Sequence, residues 1–551
     1  MKRLLLKKRT LWAIGLSGLL LLSFSEPVNR YFEIARNLDI LAGVFREVNA
    51  LYVDEVNPNT LMRTGIDAML ASLDPFTVYV PESEVEDFRT MNTGQYGGIG
   101  AATREMNGKI IITMLYEGYP AFRGGLRIGD EVIKMDEVEV SKITIDQANQ
   151  LMHGQVGTPV SLTVRRLGVK DPIRLQFKRE KIKVSNVPYF GMIGTDMGYI
   201  RLTNFTPDAG KEVKQAVTSL KGSGAKGIIL DLRENPGGLL NEAVNICNIF
   251  LPKGKLVVTM KGKIAEFNST YLTEVAPTDM EIPVAVIINR NSASASEIVA
   301  GTLQDYDRGV VIGEKSYGKG LVQLTRQLGF NAQVRITTAK YYTPTGRCIQ
   351  VLDYSHRRPD GSVGSVPDSL KKAFKTTNGR TVYDGGGIDP DINIANNGGS
   401  SLGEALLNQG LLFDYATLYA SRHATIGEAR NFSLSDAEYQ EFVAWVKTRS
   451  YTYESPLEEQ IQQLRKTAKA ERFYDELKAD LDALQARLSE GRKNDLVLYR
   501  EEVKHLLEEE IAGRYFMERG QVEVSFKDDP EVVKAAEILG NAAQLAKILN
   551  R

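Results

Sequence analysis

The chain has 551 residues, 43% of them hydrophobic and 25% charged, which is the composition of a globular protein of several domains. Its 68 Lys and Arg residues nearly balance its 69 Asp and Glu residues, so a formal net charge of −1 gives no electrostatic basis for nucleic-acid binding. The two cysteines, Cys247 and Cys348, are too few for a disulfide scaffold and lack metal-ligand spacing. Two separate buried thiols are favoured over one bridge between them.

The N-terminal segment indicates export. Its first ten residues hold five bases and no acid, and the apolar run Leu11–Phe24 follows. Because a membrane span needs about 20 apolar residues, this run is typical of a secretory signal peptide, predicted here over residues 1–25. An uncleaved membrane anchor is the alternative. Either way we expect an exported, periplasmic protein, attached to the inner membrane in the second case.

The next two regions differ in their hydrophobic pattern. Apolar residues recur at helical spacing and predict a helical N-terminal module over residues 26–94. Residues 95–183 are rich in strand patterns, with strands expected at Lys109–Leu115 and Val160–Arg165. One amphipathic helix is expected between them, at Ile145–His153.

Residues 184–395 alternate short apolar runs with helical patterns. The predicted strands are Tyr199–Leu202, Gly227–Leu232, Val284–Ile288 and Val310–Ile312. The predicted helices are Gly210–Leu220, Leu239–Phe250 and Ser296–Asp305. Nearly continuous apolar strands between helices are typical of the buried sheet of an α/β layer.

A helical C-terminal extension is predicted over residues 396–551. Two capping boxes, Ser435–Glu438 and Ser455–Glu458, mark helix starts there. The extension holds no cluster of catalytic side chains, so a stabilising or interaction role is favoured. The predicted fold class is therefore a multidomain, mixed α/β protein.

A candidate nucleophile lies in the segment Asn291–Glu297, between a predicted strand and a predicted helix. Small residues at such a turn expose a hydroxyl, and free N–H groups at the helix start can stabilise an oxyanion. The segment is not the hydrolase pattern Gly-x-Ser-x-Gly. Taken alone, it is more typical of an ordinary helix cap.

A lysine is the candidate base. None of the four histidines falls within residues 190–345, so a Ser–His–Asp triad is disfavoured. Lys319 is flanked by glycines and precedes an apolar segment, where desolvation would favour a neutral amine. If the strand includes Lys319, alternation places Gln323 on the same face. A surface lysine in a turn is the alternative.

Two glycine-containing segments of the same region also bear on the function. Gly313–Lys319 matches the start of a phosphate-binding P-loop, but the next residue is Gly320 rather than Ser or Thr, which disfavours nucleotide binding. The turn Asp231–Gly238 ends in paired glycines, and Gly237 or Gly238 could join Ala295 in offering N–H groups to an oxyanion. No residue cluster suggests a metal or a cofactor.

Five segments together resemble one family, the carboxyl-terminal processing peptidases or tail-specific proteases. The segments are Ser292–Ile298, Gly313–Gln323, Asp231–Gly238, Tyr341–Arg347 and Gly387–Asp391. The separation of 25 residues between Ser294 and Lys319 is that of the family. It selects Ser294, rather than its neighbours Ser292 and Ser296, as the nucleophile.

The resemblance implies a role for each site residue. Ser294 would attack the scissile carbonyl, Lys319 would act as general base and later as acid, and Gln323 would orient the lysine. The N–H groups of Ala295 and of Gly237 or Gly238 would form the oxyanion hole.

A supporting role for Asp305 is also implied by the family pattern. A buried structural acid is the favoured interpretation of that residue. The activity expected from these roles is a serine endopeptidase, with no metal and no cofactor, that cleaves exported proteins at or near their C-termini.

Residues 95–183 resemble a PDZ domain inserted before the protease core. The resemblance implies that Gly98, Ile99 and Gly100 capture the carboxylate of an apolar C-terminal tail, which would lie along residues 99–106 beside the helix at Ile145–Leu151. The expected partners are proteins with unstructured apolar C-termini, and a second copy or an adaptor at the helical ends. A PDZ scaffold without catalytic activity is the alternative function.

Overall fold

The computed structural model describes residues 25–394 and 399–551 of the protein, so the predicted signal segment up to residue 24 lies outside the described residues. The described residues divide into two units: residues 25–81 with residues 325–336, and residues 82–324 with residues 337–394 and 399–551. Within the described ranges, no helix combines the length and apolar character needed to cross a bilayer.

The first unit is helical, with one short strand. Its elements are α1 Ser25–Leu51, α2 Pro58–Ala71 and β1 Val78–Val80. Asn57 begins α2 by accepting the N–H groups of Asn59 and Thr60, and Pro58 fits the first turn, where its missing N–H costs nothing. β1 pairs antiparallel with residues 333–335.

The second unit opens with the PDZ region. In chain order its elements are α3 Val85–Thr93, β2 Gln95–Gly98, β3 Ala101–Met106, β4 Lys109–Leu115, α4 Pro120–Arg123, β5 Glu131–Met135, β6 Val138–Glu139, α5 Ile145–Met152, β7 Pro159–Arg165, β8 Ile173–Lys178 and β9 Glu180–Lys183. The main sheet has the order β3-β4-β5-β7-β8, and β2 pairs with β9. Ile112, Met135 and Leu162 are fully buried in its core. The predicted strands and helix of this region are confirmed.

The α/β region follows. Its elements are β10 Tyr189–Ile193, β11 Met197–Arg201, α6 Ala209–Gly222, β12 Gly227–Asp231, α7 Leu240–Phe250, β13 Leu256–Gly262, β14 Ser269–Leu272, β15 Val284–Ile288, α8 Ala295–Asp305, β16 Val310–Gly313, β17 Leu321–Gln327, β18 Gln333–Tyr342, β19 Leu352–Arg357, β20 Val363–Ser365, β21 Ala373–Lys375, β22 Thr381–Tyr383 and β23 Ile392–Asn393. The central sheet has the order β10-β11-β12-β15-β16-β23 and is parallel from β11 onward. Every residue of β12, β15 and β16 is buried, which confirms the predicted α/β layer.

The C-terminal region is helical, as predicted. Its helices are α9 Ser401–Asn408, α10 Leu411–Arg422, α11 Asp436–Val446, α12 Pro456–Ala470, α13 Tyr474–Gly491, α14 Asp495–Leu498, α15 Arg500–Ser525, α16 Pro530–Gly540 and α17 Ala542–Ile548. Capping boxes at Ser435 and Ser455 begin α11 and α12. A separate hydrophobic core forms here around Leu412, Phe442 and Leu507.

Helix α15 is broken at Met517, whose φ of 54° and ψ of −147° are not helical. The chain bends there and brings Gly520 against Ala512, since a Cβ on Gly520 would lie 2.6 Å from the carbonyl oxygen of Ala512. Met517 itself packs against the hydrophobic core of the PDZ region. The corner therefore joins the helical region to the PDZ sheet.

Helices α16 and α17 cover one face of the central sheet of the α/β region. Val532 and Ile538 from α16 form one hydrophobic cluster with Ile229 and Ile287 from β12 and β15. The hydrophobic core on this face of the sheet is therefore completed by α16 and α17, the last two helices of the helical region.

Candidate active site

Three neighbouring strands bring the sequence motifs to one edge of the sheet. β12, β15 and β16 are parallel, with Asp231 opposite Ile287 and Ile288 opposite Gly313. The loops that leave their carboxyl ends therefore start side by side, which is where α/β folds place their sites. These loops carry the paired glycines, Ser294 and Lys319 respectively.

Ser294 occupies a strained turn between β15 and α8. Its φ of 55° and ψ of −112° are rarely adopted by a residue other than glycine, and such strain is common at functional sites. The residue is half-buried, so its hydroxyl lies at the surface of the core rather than within it. This strand–turn–helix geometry is that of a nucleophile elbow.

The two neighbouring serines have structural partners. The hydroxyl of Ser292 donates to the carbonyl oxygen of Leu232 at 2.8 Å, and that of Ser296 donates to the carbonyl oxygen of Asn235 at 2.9 Å. Both serines are fully buried. Their hydroxyls therefore connect the elbow to the glycine loop, which is the turn Asp231–Gly238 after β12.

Asn235 organises the glycine loop. Its Oδ1 accepts the N–H of Gly237 at 2.9 Å, and its backbone oxygen accepts the N–H of Ala293 at 3.0 Å. A Cβ on Gly237 would lie 2.8 Å from the nitrogen of Ala295, so only glycine fits against the elbow there. Since the Gly237 N–H already has an acceptor, Gly238 is the better placed of the two glycines to offer an N–H.

Gly238 and Ala295 differ from Gly237 in this respect. Gly238 is exposed, and its N–H has no acceptor among the residues that the structure describes. Ala295 is the first residue of α8, where an N–H has no acceptor within the helix. These two N–H groups can serve an oxyanion next to Ser294.

Lys319 lies in the loop between β16 and β17 and is half-buried. β17 begins only at Leu321, so the expected strand alternation from Lys319 to Gln323 is wrong. The glycines at 318 and 320 keep this segment in a loop conformation. Gln323 lies within β17 and donates from Nε2 to Oγ1 of Thr337 at 3.2 Å.

The lysine loop also departs from a P-loop in its fold. A P-loop opens a helix, whose N-terminal N–H groups cradle phosphate. Here the glycine–lysine segment leads into the strand β17.

Glu297 was not singled out by the sequence, yet it joins the two motifs. Its Oε2 accepts the N–H groups of Ser294 at 2.8 Å and of Lys319 at 2.9 Å. Its Oε1 accepts the hydroxyl of Ser316 at 2.6 Å and the N–H of Gly318 at 2.7 Å. The residue is completely buried, and burial raises the pKa of its carboxyl while these four bonds oppose the rise. The spacing Ser-x-x-Glu is a capping-box signal that could have revealed it.

Tyr341 stabilises the elbow through a hydrogen bond to the backbone of Ser294. Its phenolic hydroxyl donates to the carbonyl oxygen of Ser294 at 3.1 Å, and its side chain is buried. Burial raises the pKa of this tyrosine, so it stays a neutral donor.

Asp305 lies at the far end of α8, about 16 Å along the helix axis from Ser294. Its carboxylate pairs with the guanidinium of Arg347 at 2.7 Å and accepts the N–H and hydroxyl of Thr345. Both members of the ion pair are buried. These contacts anchor the segment after β18 and do not reach the elbow.

The PDZ loop has the following arrangement. The carbonyl oxygens of Ile99 and Gly100 accept the N–H groups of Ala121 at 2.8 Å and Tyr116 at 3.0 Å. Gly98, Ile99 and Gly100 are all buried. Between β3 and α5, the hydroxyl of Thr103 donates to Oδ1 of Asn149 at 2.7 Å, so the two walls of the expected tail groove are in contact.

Both cysteines are free thiols, as favoured, but only Cys247 is buried, and Cys348 is partly exposed. Burial raises the pKa of Cys247 to about 12. Within the described ranges, no three His, Cys, Asp or Glu side chains are grouped as metal ligands.

The family models match three regions of the chain. Residues 196–363 match Peptidase family S41, residues 111–166 match the PDZ domain, and residues 402–539 match the C-terminal helical domain of a probable PDZ-protease. The match to the last model covers most of the helical region.

Whole relatives match over most of their length. The carboxy-terminal-processing protease of Bartonella bacilliformis is 38% identical over 361 residues, which cover 65% of this chain and 81% of the relative. A probable CtpA-like serine protease of Staphylococcus aureus is 33% identical over 382 residues, covering 69% and 75% respectively. Among solved structures, the photosystem II D1 C-terminal processing protease is 27% identical, covers 56% of this chain and 89% of its own, and has a TM-score of 0.34. The chain therefore belongs to the carboxy-terminal-processing proteases, serine peptidases of Peptidase family S41.

Proposed function

We propose that the protein is a Ser–Lys endopeptidase that cleaves exported proteins at or near their C-termini. The observation that carries this proposal is the bridge through Glu297, whose buried carboxylate holds the backbones of Ser294 and Lys319 at once. A carboxylate in this place fixes the nucleophile and the base relative to one another. Preorganisation of this kind is what an uncharged base at neutral pH needs to be effective.

The reaction follows from the placement of the groups. The neutral amine of Lys319 removes the proton from Ser294 Oγ, and Oγ forms a bond to the scissile carbonyl carbon. The negative charge on the carbonyl oxygen is stabilised by the N–H groups of Gly238 and Ala295. The C–N bond then breaks, and the ammonium of Lys319 gives its proton to the leaving amine.

Deacylation repeats the same steps with water. Lys319 takes a proton from the water molecule, the hydroxide attacks the acyl carbon, and Ser294 leaves with the returned proton. Gln323 is proposed to orient the lysine from the neighbouring strand. No cofactor is required by this scheme.

The PDZ region is proposed to deliver the substrate. The amides at Gly98, Ile99 and Gly100 would hold the terminal carboxylate, and the tail would add a strand to β3 beside α5. Entry of a tail then requires that Thr103 and Asn149 separate. An inactive PDZ scaffold is not favoured, because the serine, the lysine and the N–H donors are all present at one sheet edge.

Export to the periplasm is proposed from the N-terminal sequence. N-terminal sequencing of the protein recovered from the periplasm distinguishes a signal peptide cleaved after about residue 25 from an uncleaved anchor. Recovery of the protein in the cytoplasm would contradict export.

The proposal is tested by cleavage of an unfolded reporter protein that ends in an apolar tail. Ser294→Ala and Lys319→Ala should each lower kcat by on the order of 10³-fold or more, with circular dichroism unchanged. Lys315→Ala is the matched control, since Lys315 is a half-exposed lysine of the same loop that pairs with Asp389. Full activity of either site variant would mean that the catalytic pair is wrongly assigned.

Two further arms test the base and the tail site. Because the base must lose its proton, kcat/KM of the folded enzyme should rise as the pH is raised from neutral, and a flat profile would count against Lys319. Amidation of the reporter's terminal carboxylate should raise KM if the PDZ amides bind it, and unchanged kinetics would remove that role.

A further inference from the structure

Glu234 lies in the glycine loop in an unfavourable backbone conformation. Its φ is 60°, in the left-handed region that residues other than glycine, asparagine and aspartate rarely adopt. It is exposed to solvent. Since a strained residue persists only where its surroundings hold it, the contacts of its side chain are informative.

Those contacts all reach the segment that precedes Ser294. Glu234 Oε1 accepts from Nδ2 of Asn289 at 2.6 Å, and Oε2 accepts from Nδ2 of Asn291 at 2.7 Å. The backbone N–H of Glu234 donates to Oδ1 of Asn289 at 3.1 Å. One residue thus makes three hydrogen bonds to two asparagines of the neighbouring loop.

The asparagines are in turn connected to the elbow. The N–H of Asn289 donates to the hydroxyl of Ser292 at 2.9 Å, and the N–H of Asn291 donates to Oδ1 of Asn289 at 3.1 Å. Asn291 is three residues before Ser294, and Glu234 is four residues before Gly238. The contact therefore spans the two loops that supply the nucleophile and one oxyanion donor.

We propose that Glu234 is a positioning residue for the hydrolysis, which sets the distance between the Gly238 N–H and Ser294 Oγ. The buried side of the same interface is held by Asn235, through the backbone of Ala293 and the hydroxyl of Ser296. Glu234 provides the hydrogen bonds on the exposed side. With both sides fixed, the glycine loop cannot rotate about its buried contacts and move the donor out of reach.

The proposal rests on the proposed function, because it takes Ser294 as the nucleophile and Gly238 as an oxyanion donor. An oxyanion exists only in the transition state and the tetrahedral intermediate, so misplacing its donor affects kcat more than KM. Complete loss of such a donor costs about 10²–10³ in kcat. Loosening one side of the loop should cost less.

The experiment compares full-length Glu234→Ala, Glu234→Gln and Glu281→Ala with the wild type on the tailed reporter. Glu281 is the control, since it is an exposed loop acid of the same charge whose side chain lies before β15 rather than in the glycine loop. We expect Glu234→Ala to lower kcat about tenfold with KM unchanged. Glu234→Gln keeps one acceptor oxygen and should fall between Glu234→Ala and the wild type. All three variants should remain folded, because the residues are exposed.

A double-mutant cycle and a chemical label complete the test. Asn291→Ala added to Glu234→Ala should lower kcat no further than Glu234→Ala alone, because the Asn291 side chain acts through its hydrogen bond to Glu234. A serine-directed phosphonate should still label every Glu234→Ala molecule, but about tenfold more slowly than the wild type.

Several outcomes would overturn the inference. An unchanged kcat in Glu234→Ala, a change in KM alone, or an equal loss in Glu281→Ala would each exclude a positioning role for Glu234. Failure of the proposed function is distinguishable, because the phosphonate would then fail to label wild-type Ser294. If Glu234→Ala does not fold, Glu234→Gln takes its place in the test. Full kcat in folded Glu234→Gln, together with additive losses of kcat in Asn289→Ala and Asn291→Ala, would then exclude the role.

Discussion

The carboxylate of Glu297 accepts the backbone N–H of Lys319 at 2.9 Å, across 22 residues of sequence. The same oxygen accepts the N–H of Ser294, so a single atom sets the separation between the two segments. Neither segment could shift without leaving a buried donor unpaired. Glu297 is thus the structural link between the two members of the proposed catalytic pair, although it need not touch the substrate.

Glu297→Gln should lower both stability and turnover. The amide keeps one acceptor oxygen but brings an NH₂ group toward two buried donors, at a cost of about 1–3 kcal/mol for each donor left unpaired. Urea unfolding measures the first effect, and kcat of the folded fraction measures the second. Glu281→Gln, at an exposed loop position, should change neither. Wild-type stability and activity in Glu297→Gln would show that the bridge is dispensable.

The three serines of the elbow should separate into two classes. Ser292→Ala and Ser296→Ala each remove a buried hydroxyl that donates to a backbone carbonyl, and each should cost about 1–2 kcal/mol of folding free energy. Both should keep a reactive nucleophile. Ser294→Ala should be inactive with nearly wild-type stability. The check is denaturant unfolding together with phosphonate labelling, and loss of labelling in folded Ser292→Ala would contradict this division.

The contact between Arg233 and Asp529 should stabilise the whole core. Arg233 pairs with Asp529 at 2.7 Å and with Asp231 at 2.6 Å, and it is largely buried. Asp529→Asn keeps the hydrogen bond that caps α16 but loses the charge, and it should cost about 1.5–3 kcal/mol.

The matched control lies on the same helix. Glu537 forms an exposed pair with Lys534, so Glu537→Ala should leave the free energy of unfolding nearly unchanged. Equal effects of the two variants, measured by urea unfolding, would mean that the buried pair contributes no more than a surface one.

His153 should make the protein less stable as the pH falls. Its ring is 4.6 Å from that of Tyr96, and burial lowers the pKa of His153, with Asp87 opposing and Arg179 adding to the effect. The unfolded chain therefore binds this proton at a higher pH than the folded chain does. Stability is lost as the pH falls through the ordinary histidine pKa towards the folded value.

His505 provides a control of opposite sign. Its hydrogen bond to Glu509 raises the pKa of His505, so its contribution is present at low pH and lost as the pH rises through the folded value. A change from about pH 7.5 to about pH 5.5 should therefore lower the urea midpoint less in His153→Gln than in the wild type, and more in His505→Gln. The same pH dependence in His153→Gln as in the wild type would disprove the assignment.

The central sheet could be predicted from sequence because its strands are short, apolar and buried on both faces. The predicted bounds of the strand Val284–Ile288 are confirmed, since Pro283 and the polar residues after Ile288 end the apolar run. Ser294 and the glycine loop could be recognised from local motifs. The position of Glu297 between two loops could not, because a capping-box glutamate looks the same whether it serves one segment or two.

The failures have physical causes as well. The predicted alternation does not include Lys319, because β17 begins only at Leu321, after the two glycines that flank the lysine. The break at Met517 has no local signal, since methionine is a good helix former and the conformation is imposed by packing against the PDZ core. Pattern alone likewise shows that α16 is amphipathic, but not which sheet it covers.

The cover that α16 and α17 provide has a consequence for biosynthesis. Until residues 530–549 are made, the face of the sheet that contains Ile229 and Ile287 lacks its packing partners, and Arg233 lacks Asp529. During synthesis, Ser294 is therefore present well before the helices that complete the packing of the sheet. We therefore expect proteolytic competence only after the last two helices have been synthesised and have packed on the sheet.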